Sequence, residues 1–549
     1  MKYSLMSMMA VAWEVFATDY FVVHSIDELG KMPSAAAGRQ KSISINDVAT
    51  VDLMPGDRLL FKREERYTGD LYIRSSGTAR QPIEIRAYGV GTKPVIEGYI
   101  TITHAKNVHI SNLTIIPPLQ LAKTMSAASR AAIDATDADS TVISDITTTN
   151  TIRLLHSSYC TVERCTVTIA NNQSFGIIVG FWWGPSDTTT MEAPHHLVIR
   201  DNVISGAVWA GIEAYGQNYL NRLHHLSIYG NRVSKCGCGI YLHYCRESDV
   251  YENMCRDDTL YVTSRQDKGE GYGLGLQTSS RNFIHHNYFE NNRTSAMEIW
   301  GGEPASGPKN TYGPSDSNEI YGNTFYRNGR LNAQSQTGGG KYGIYLTGFA
   351  THQDIHHNLF ISNEGAGVLV TTQTDARINN NTFIDDHVQF LATARRIEVK
   401  NNIFASGSRL LGYPDSNQNV MSHNLFDVAD NDRMGSSNRR VTDPLFVNSA
   451  AMDYHLQSIS PAIDAGCVVG YPADCESHPI DDAPDIGAYE YQHPTKVRWD
   501  HIYFIKAFQG QKKDNISVYY TLAGRKINRT GHVVMMSKMR RIIHLIEGK

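Results

Sequence analysis

The sequence predicts an all-β chain built as a solenoid of stacked parallel coils. Two repeated patterns carry the prediction. The first is a strand led by glycine: Gly211-Ile212-Glu213-Ala214, Gly239-Ile240-Tyr241-Leu242, Gly273-Leu274-Gly275-Leu276 and Gly343-Ile344-Tyr345-Leu346, with Ala296-Met297-Glu298-Ile299 as a copy lacking the glycine. In an extended strand Ile212 and Ala214 point one way and Glu213 and Tyr215 the other, so stacked copies make one apolar wall and one decorated face. The second pattern is Asn, any residue, apolar, at Asn202, Asn231, Asn287, Asn323, Asn358, Asn381, Asn402 and Asn424. Most successive members fall roughly 21 to 36 residues apart, the period of units that stack and share a core. Asn at a fixed place in each turn suits a tight bend, since it tolerates the left-handed region and its amide bonds backbone or the Asn of the next coil.

With these repeats the chain resembles the right-handed parallel β-helix of the pectin-lyase-like kind, found in polysaccharide lyases and glycoside hydrolases. The resemblance covers about Asp19 to Gln492. It implies an all-β, right-handed parallel β-helix solenoid with a small C-terminal β-rich tail, and a secreted carbohydrate-active protein.

Lys2, the apolar run Leu5–Trp13 and Val15-Phe16-Ala17 give a basic start, an apolar core and a small-residue cleavage site, read as a signal peptide over residues 1–17. The solenoid then spans residues 18–492. Tyr20–Val23 reads as a first strand, and Ser75 to Ile96 resembles the opening coil of secreted bacterial β-helix proteins, covering the open end of the stack. Pro117 to Asp139 breaks the rhythm as a short helix or loop. Phe181-Trp182-Trp183 precedes a polar loop and is either a sugar-stacking platform or a packed corner. Insertions at Arg256–Gly271, Gly301–Asn318 and Arg330–Lys341 flank the glycine-led strands, so loops wall one face of the body, and functional residues concentrate on such loops. Val441 to Gln492 is similar to the terminal coil of such proteins, with Asp464 and Asp485 read as turn formers. Residues 493–549 look like a shortened sorting or anchoring tail of Bacteroidetes exported proteins. The expected location is periplasmic, cell-surface or extracellular in a Gram-negative bacterium.

The 549 residues carry 51 Lys and Arg against 55 Asp and Glu, and no basic block precedes the last fifty positions, so no nucleic-acid partner is expected. No stretch reaches the roughly 18–20 apolar residues of a membrane span, and a monomer is expected. The eight cysteines lack metal spacing. Most read as buried thiols, while Cys467 and Cys475 could pair in an oxidising compartment.

Aligning the glycine-led strands yields two outward columns. One reads Ile178, Glu213, Tyr241, Gly275, Glu298, Tyr345, Leu369; the other reads Gly180, Tyr215, His243, Gln277, Trp300, Thr347, Thr371. Their middle is acidic, polar and aromatic, a groove of about 15 to 20 Å at about 4.8 Å per coil. Rings stack on pyranose faces and carboxylates handle hydroxyls and protons, so the groove suits a polysaccharide or oligosaccharide. Glycoside hydrolysis needs two carboxyl groups about 5–5.5 Å or 6.5–9.5 Å apart. Glu213 and Glu298, three coils apart, are roughly 14 Å apart by strand spacing alone and too wide. Glu298 and Glu270 are therefore assigned the catalytic roles. The expected substrate contacts are Glu213, Tyr215, Tyr241, His243, Gln277, Trp300, Glu303, Tyr345 and Trp182. No cofactor is expected for a glycoside hydrolase. The alternative is β-elimination on a uronate polymer, with Lys268, Arg246 or Arg265 as base and Asp257, Asp258 or Asp267 holding Ca²⁺. A non-catalytic glycan-binding β-helix is the third reading.

Overall fold

A computed structural model describes residues 17–23, 40–118, 130–170, 174–181, 192–259, 271–303, 312–330, 341–371, 375–391, 393–413, 418–428 and 437–492, with three dipeptides near the C-terminus. The signal-peptide reading, Trp182, Lys268, Arg265, Asp267 and Glu270 lie outside the described residues. The chain divides into two compact units, residues 1–491 and 492–549. In the second, the described dipeptides Ile505–Lys506, Tyr519–Tyr520 and Lys526–Ile527 pair as a small antiparallel sheet.

The first unit is built of three parallel sheets, of 16, 15 and 13 strands, and successive coils add one strand to each. A representative coil gives Ser227–Tyr229 to the first sheet, Arg232–Ser234 to the second and Cys238–His243 to the third; each pairs in parallel with its counterpart one coil later. Three stacked columns fill the interior. Ile199, Ile228, Val250, Ile284, Ile320 and Ile355 come from the first sheet, and Ile212, Ile240, Leu274, Met297 and Ile344 from the third, all essentially inaccessible. From the second sheet, Phe289, Phe325, Phe360, Phe383, Phe404 and Phe426 stack face to face with centroids 4.7–5.3 Å apart. The apolar residue of each Asn motif is thus an inward residue of the second sheet.

The asparagines form a continuous ladder at the bend between the first and second sheets. From Asn202 to Asn438 each amide donates to the side-chain oxygen of the next coil at 2.9–3.1 Å. Asn253 belongs to it and fills the long interval between Asn231 and Asn287. The left-handed conformation expected of these asparagines falls one residue earlier, at Asp201, Glu252, His286, His357 and Asn380, among others. Asn serves as a buried donor and acceptor, because bends stacked in a core leave backbone carbonyls that water cannot reach. A second ladder, not anticipated, runs five residues later through Asp258, Asn292, Asn328, Asn363 and Asp386.

That ladder corrects the cation reading of Asp258, which is fully buried and accepts the Cys236 amide at 2.8 Å. Asp257 instead accepts from the Asn291 amide at 2.7 Å. The outermost N-terminal strand is Gln40–Ser44, and the 3-10 turn Ile45–Thr50 inserts Ile45 and Val48 into the core. The end is therefore covered upstream of Ser75–Ile96, whose strand Ile83–Tyr88 lies inside the stack. All eight cysteines are free thiols; Cys467 leans on Asn401 and Cys475 on the Ala488 carbonyl, so the expected pair is not formed. The terminal coil folds back along the body, with Tyr471 stacked on His356 at 4.0 Å and its hydroxyl donating to Asp354 at 2.6 Å. Asp485 accepts the Asp464 and Tyr491 amides, a turn-forming role.

Candidate functional site

The outer face of the third sheet assembles the two columns in the register read from the sequence. Ile178 pairs with Glu213, then Tyr241, Gly275, Glu298, Tyr345 and Leu369 follow on successive strands. Beside them run Gly180, Tyr215, His243, Gln277, Trp300 and Thr347. Parallel pairing without slippage is what brings residues from 178 to 369 along the chain into one trough.

A recess of about 240 Å³ opens in this face, lined by Tyr241, Tyr272, Gly275, Leu276, Gln277, Glu298 and Trp300. Its floor exists because position 275 lacks a side chain. A Cβ there would meet ring carbons of Tyr241 at 2.2 and 2.4 Å, so the Tyr241 ring leans across the glycine. The Tyr241 hydroxyl donates to the side-chain oxygen of Gln277 on the next strand. Glu298 stands on the far side of the glycine, half-buried, with Trp300 next to it along the same strand. The volume is below the roughly 300–1,000 Å³ of pockets for drug-sized ligands, which suits one ring rather than a length of polymer.

Of the expected residues, Tyr241, Gln277, Glu298 and Trp300 meet in the recess. Glu213 and His243 do not line it. Glu213 is fully buried, with Ile178 and Tyr241 as its register neighbours on the strands to either side, and burial holds its carboxyl well above the usual range against the opposing pull of the Trp209 indole. His243 is packed between Tyr215 and Tyr244, with centroids at 4.6 and 4.2 Å, and burial pushes its imidazole down to about 3. Tyr215 is half-buried and pushed up to about 12, by burial first and then by Glu213. Tyr345 neighbours Glu298 in register, and Glu303 is exposed beyond Trp300.

Sequence reasoning missed Tyr272, Trp209, Tyr244 and Tyr312. Tyr272 belongs to a third outward column, Phe175, Ala210, Cys238, Tyr272, formed by the residue ahead of each leading glycine. Reading one position earlier would have found it. Tyr312 comes from an insertion and meets Trp300 edge-on at 5.5 Å and Tyr244 at 6.4 Å, extending the aromatic wall. Gly313 beside it is covered by the Tyr219 ring, 2.3 Å from where a Cβ would sit.

Residues 96–341 match the family model described as periplasmic copper-binding protein (NosD). Copper takes imidazole and sulfur ligands. The richest imidazole group, His195, His196, His224 and His225, is spent on itself, with Nδ1 atoms of adjacent histidines 2.8 and 2.6 Å apart and the two pairs stacked. Six cysteines are buried thiols. Among the described residues no group of three or more His, Cys, Asp or Glu is disposed to hold a metal ion, so the described residues do not fit copper.

Comparison with curated proteins finds no match. Among solved structures, the chain is similar to a GH136 lacto-N-biosidase from Eubacterium ramulus, with 16% identity over 74% of this chain and 67% of that one and a TM-score of 0.39. It is similar also to a PL6-family alginate lyase, at 13% identity over 82% of this chain and 59% of that one, TM-score 0.43. A pectate lyase matches at 14% identity over 87% of this chain and 98% of that one, TM-score 0.34. Its three long parallel sheets and its stacked interior make the chain a right-handed parallel β-helix.

Proposed function

We propose that the chain is an exported carbohydrate-active enzyme that seats one ring of a polysaccharide or oligosaccharide in the recess and hydrolyses a glycosidic bond, with Glu298 as one of the two working carboxyl groups. The observation that carries this reading is the placement of Glu298 over a glycine floor between Tyr241, Tyr272 and Trp300. Flat rings and one carboxylate around a ring-sized space give stacking on the apolar sugar face and proton transfer at the same spot. Glu270, two positions ahead of the Tyr272–Gln277 strand in the sequence, and Glu303 are the partners the sequence offers. Export is supported by the N-terminal pattern and by the periplasmic description of the matching family.

One observation favours β-elimination as the second reading: among the described lining residues Glu298 is the single carboxylate, and it shares the recess with the Tyr241 phenol. Against it, no Lys or Arg lines the recess among those residues to neutralise a uronate. Incubation with neutral and uronate-containing polysaccharides, scoring reducing ends and unsaturated products together, separates the readings. Reducing ends without unsaturation support hydrolysis, unsaturated products replace it with elimination, and binding without either makes the protein a glycan-binding β-helix. If no glycan is bound or cleaved, the proposal fails.

A further inference from the structure

We infer that Tyr241 is a gate, and that Glu213, closed off behind it, is the second carboxyl group of the same site. The inference rests on the glycan-cleaving reading above. Glu213, Tyr241, Gly275 and Glu298 stand in one column on four consecutive strands. Tyr241 tilts along that column onto Gly275, and its hydroxyl is anchored to Gln277, so its ring forms a wall of the recess with Glu213 on the other side.

Glu213 points outward from the third sheet yet is wholly inaccessible, between Ile178 and Tyr241 in register and within reach of the Trp209 indole. Keeping a carboxyl group there costs free energy; it belongs to neither ladder, makes no ion pair among the described residues, and has the Trp209 indole as its hydrogen-bonding partner. The backbone interval to Glu298 is about 14 Å. If each side chain leans about 3 Å toward the other, the carboxyl groups come to about 8 Å, within the roughly 6.5–9.5 Å that leaves room for a water in inverting hydrolysis. The Tyr241 ring now occupies that interval, and rotation about its χ1 off the glycine clears it. In the open state the Glu213 carboxylic acid gives its proton to the departing glycosidic oxygen. Glu298 takes a proton from water, whose oxygen bonds the anomeric carbon as the C–O bond breaks.

The gate is tested by carbodiimide-and-amine labelling of carboxyl groups on the folded full-length chain, read by peptide mass spectrometry, in wild type, Tyr241→Ala and Gln277→Ala. Gln277→Ala frees the hydroxyl while leaving the ring, and it serves if Tyr241→Ala fails to fold. An open state populated at about 0.1–10% predicts that Glu213 labels about tenfold or more faster in the variants, with Glu298 labelling little changed. No gain at Glu213 in either folded variant, or full labelling in wild type, overturns the gate. The acid role is read separately with Glu213→Gln on a glycan the enzyme cleaves: kcat falls on the order of 100-fold with KM little changed, and the alkaline limb of the pH profile disappears. Wild-type kcat in Glu213→Gln refutes the role of Glu213 alone, whereas wild-type kcat in Glu298→Gln refutes the underlying reading.

Discussion

Asp386 is a buried rung of the second ladder, its own N–H passing on to the Ser408 hydroxyl at 2.9 Å, and replacing it by Asn gives a stability change whose sign reverses with pH. The Asp386 carboxyl accepts the Asn363 amide at 2.6 Å, the Asn363 backbone N–H at 3.1 Å and the His387 N–H at 2.9 Å. It is fully buried, and desolvation lifts it from 3.8 to about 8. The folded chain therefore keeps a proton that the unfolded chain releases. That stabilisation is complete below the unfolded value and is lost as pH rises through about 8. At about 1.4 kcal/mol per unit, the interval of about four units amounts to on the order of 5 kcal/mol. Asp386→Asn retains an acceptor for Asn363 and brings an amide that extends the ladder as Asn363 does toward the Phe325 carbonyl, but it loses the acceptor for His387, about 1 kcal/mol. The variant is expected to melt slightly below wild type near pH 4 and well above it near pH 9. Thermal midpoints of the two proteins across that range provide the test. Parallel curves would refute the claim that this rung of the ladder is a buried neutral acid.

Other perturbations have equally definite outcomes. Gly275→Ala drives a methyl group into the Tyr241 ring and is expected to cost about 1–3 kcal/mol and to abolish sugar binding; unchanged glycan affinity by calorimetry would contradict the glycine floor. Phe360→Ala removes a fully buried ring with neighbours at 4.7 Å on either side, at a cost of about 3–5 kcal/mol, and hydrogen exchange should rise in the adjacent coils first. Tyr471→Phe deletes the 2.6 Å hydrogen bond to Asp354 and should cost about 1.5–3 kcal/mol, since the acceptor is charged. Limited proteolysis should then cut the terminal coil earlier than in wild type, and an unchanged digestion pattern would show that Tyr471 does not clamp it.

The coil rhythm and the strand register were legible because a period-two strand buried on one face cannot slip by one residue without exposing Ile212, Ile240 and Ile344. Glu298, Gln277 and Trp300 could therefore be placed side by side from their positions in the repeat. Side-chain tilt was not legible. Tyr241 leans over Gly275 because two adjacent coils differ in side-chain volume, and that lean sets Glu213 behind a wall, while Tyr215 and Tyr244 enclose His243. The role of Asp258 also escaped, since the second ladder mixes Asp with Asn and its first member sits beside the half-buried Asp257, where a pair of acids resembles a cation site. Tyr312 was hidden in an insertion whose path no repeat dictates.

The most direct measurement is the rate of bond cleavage by Glu298→Gln beside wild type, on a glycan that wild type cleaves, together with the affinity of the variant for that glycan. The account predicts turnover lower by on the order of 100-fold or more, with the fold intact and the sugar still bound. Cleavage at near wild-type rate by a folded Glu298→Gln protein would remove Glu298 from the chemistry and the recess from its role.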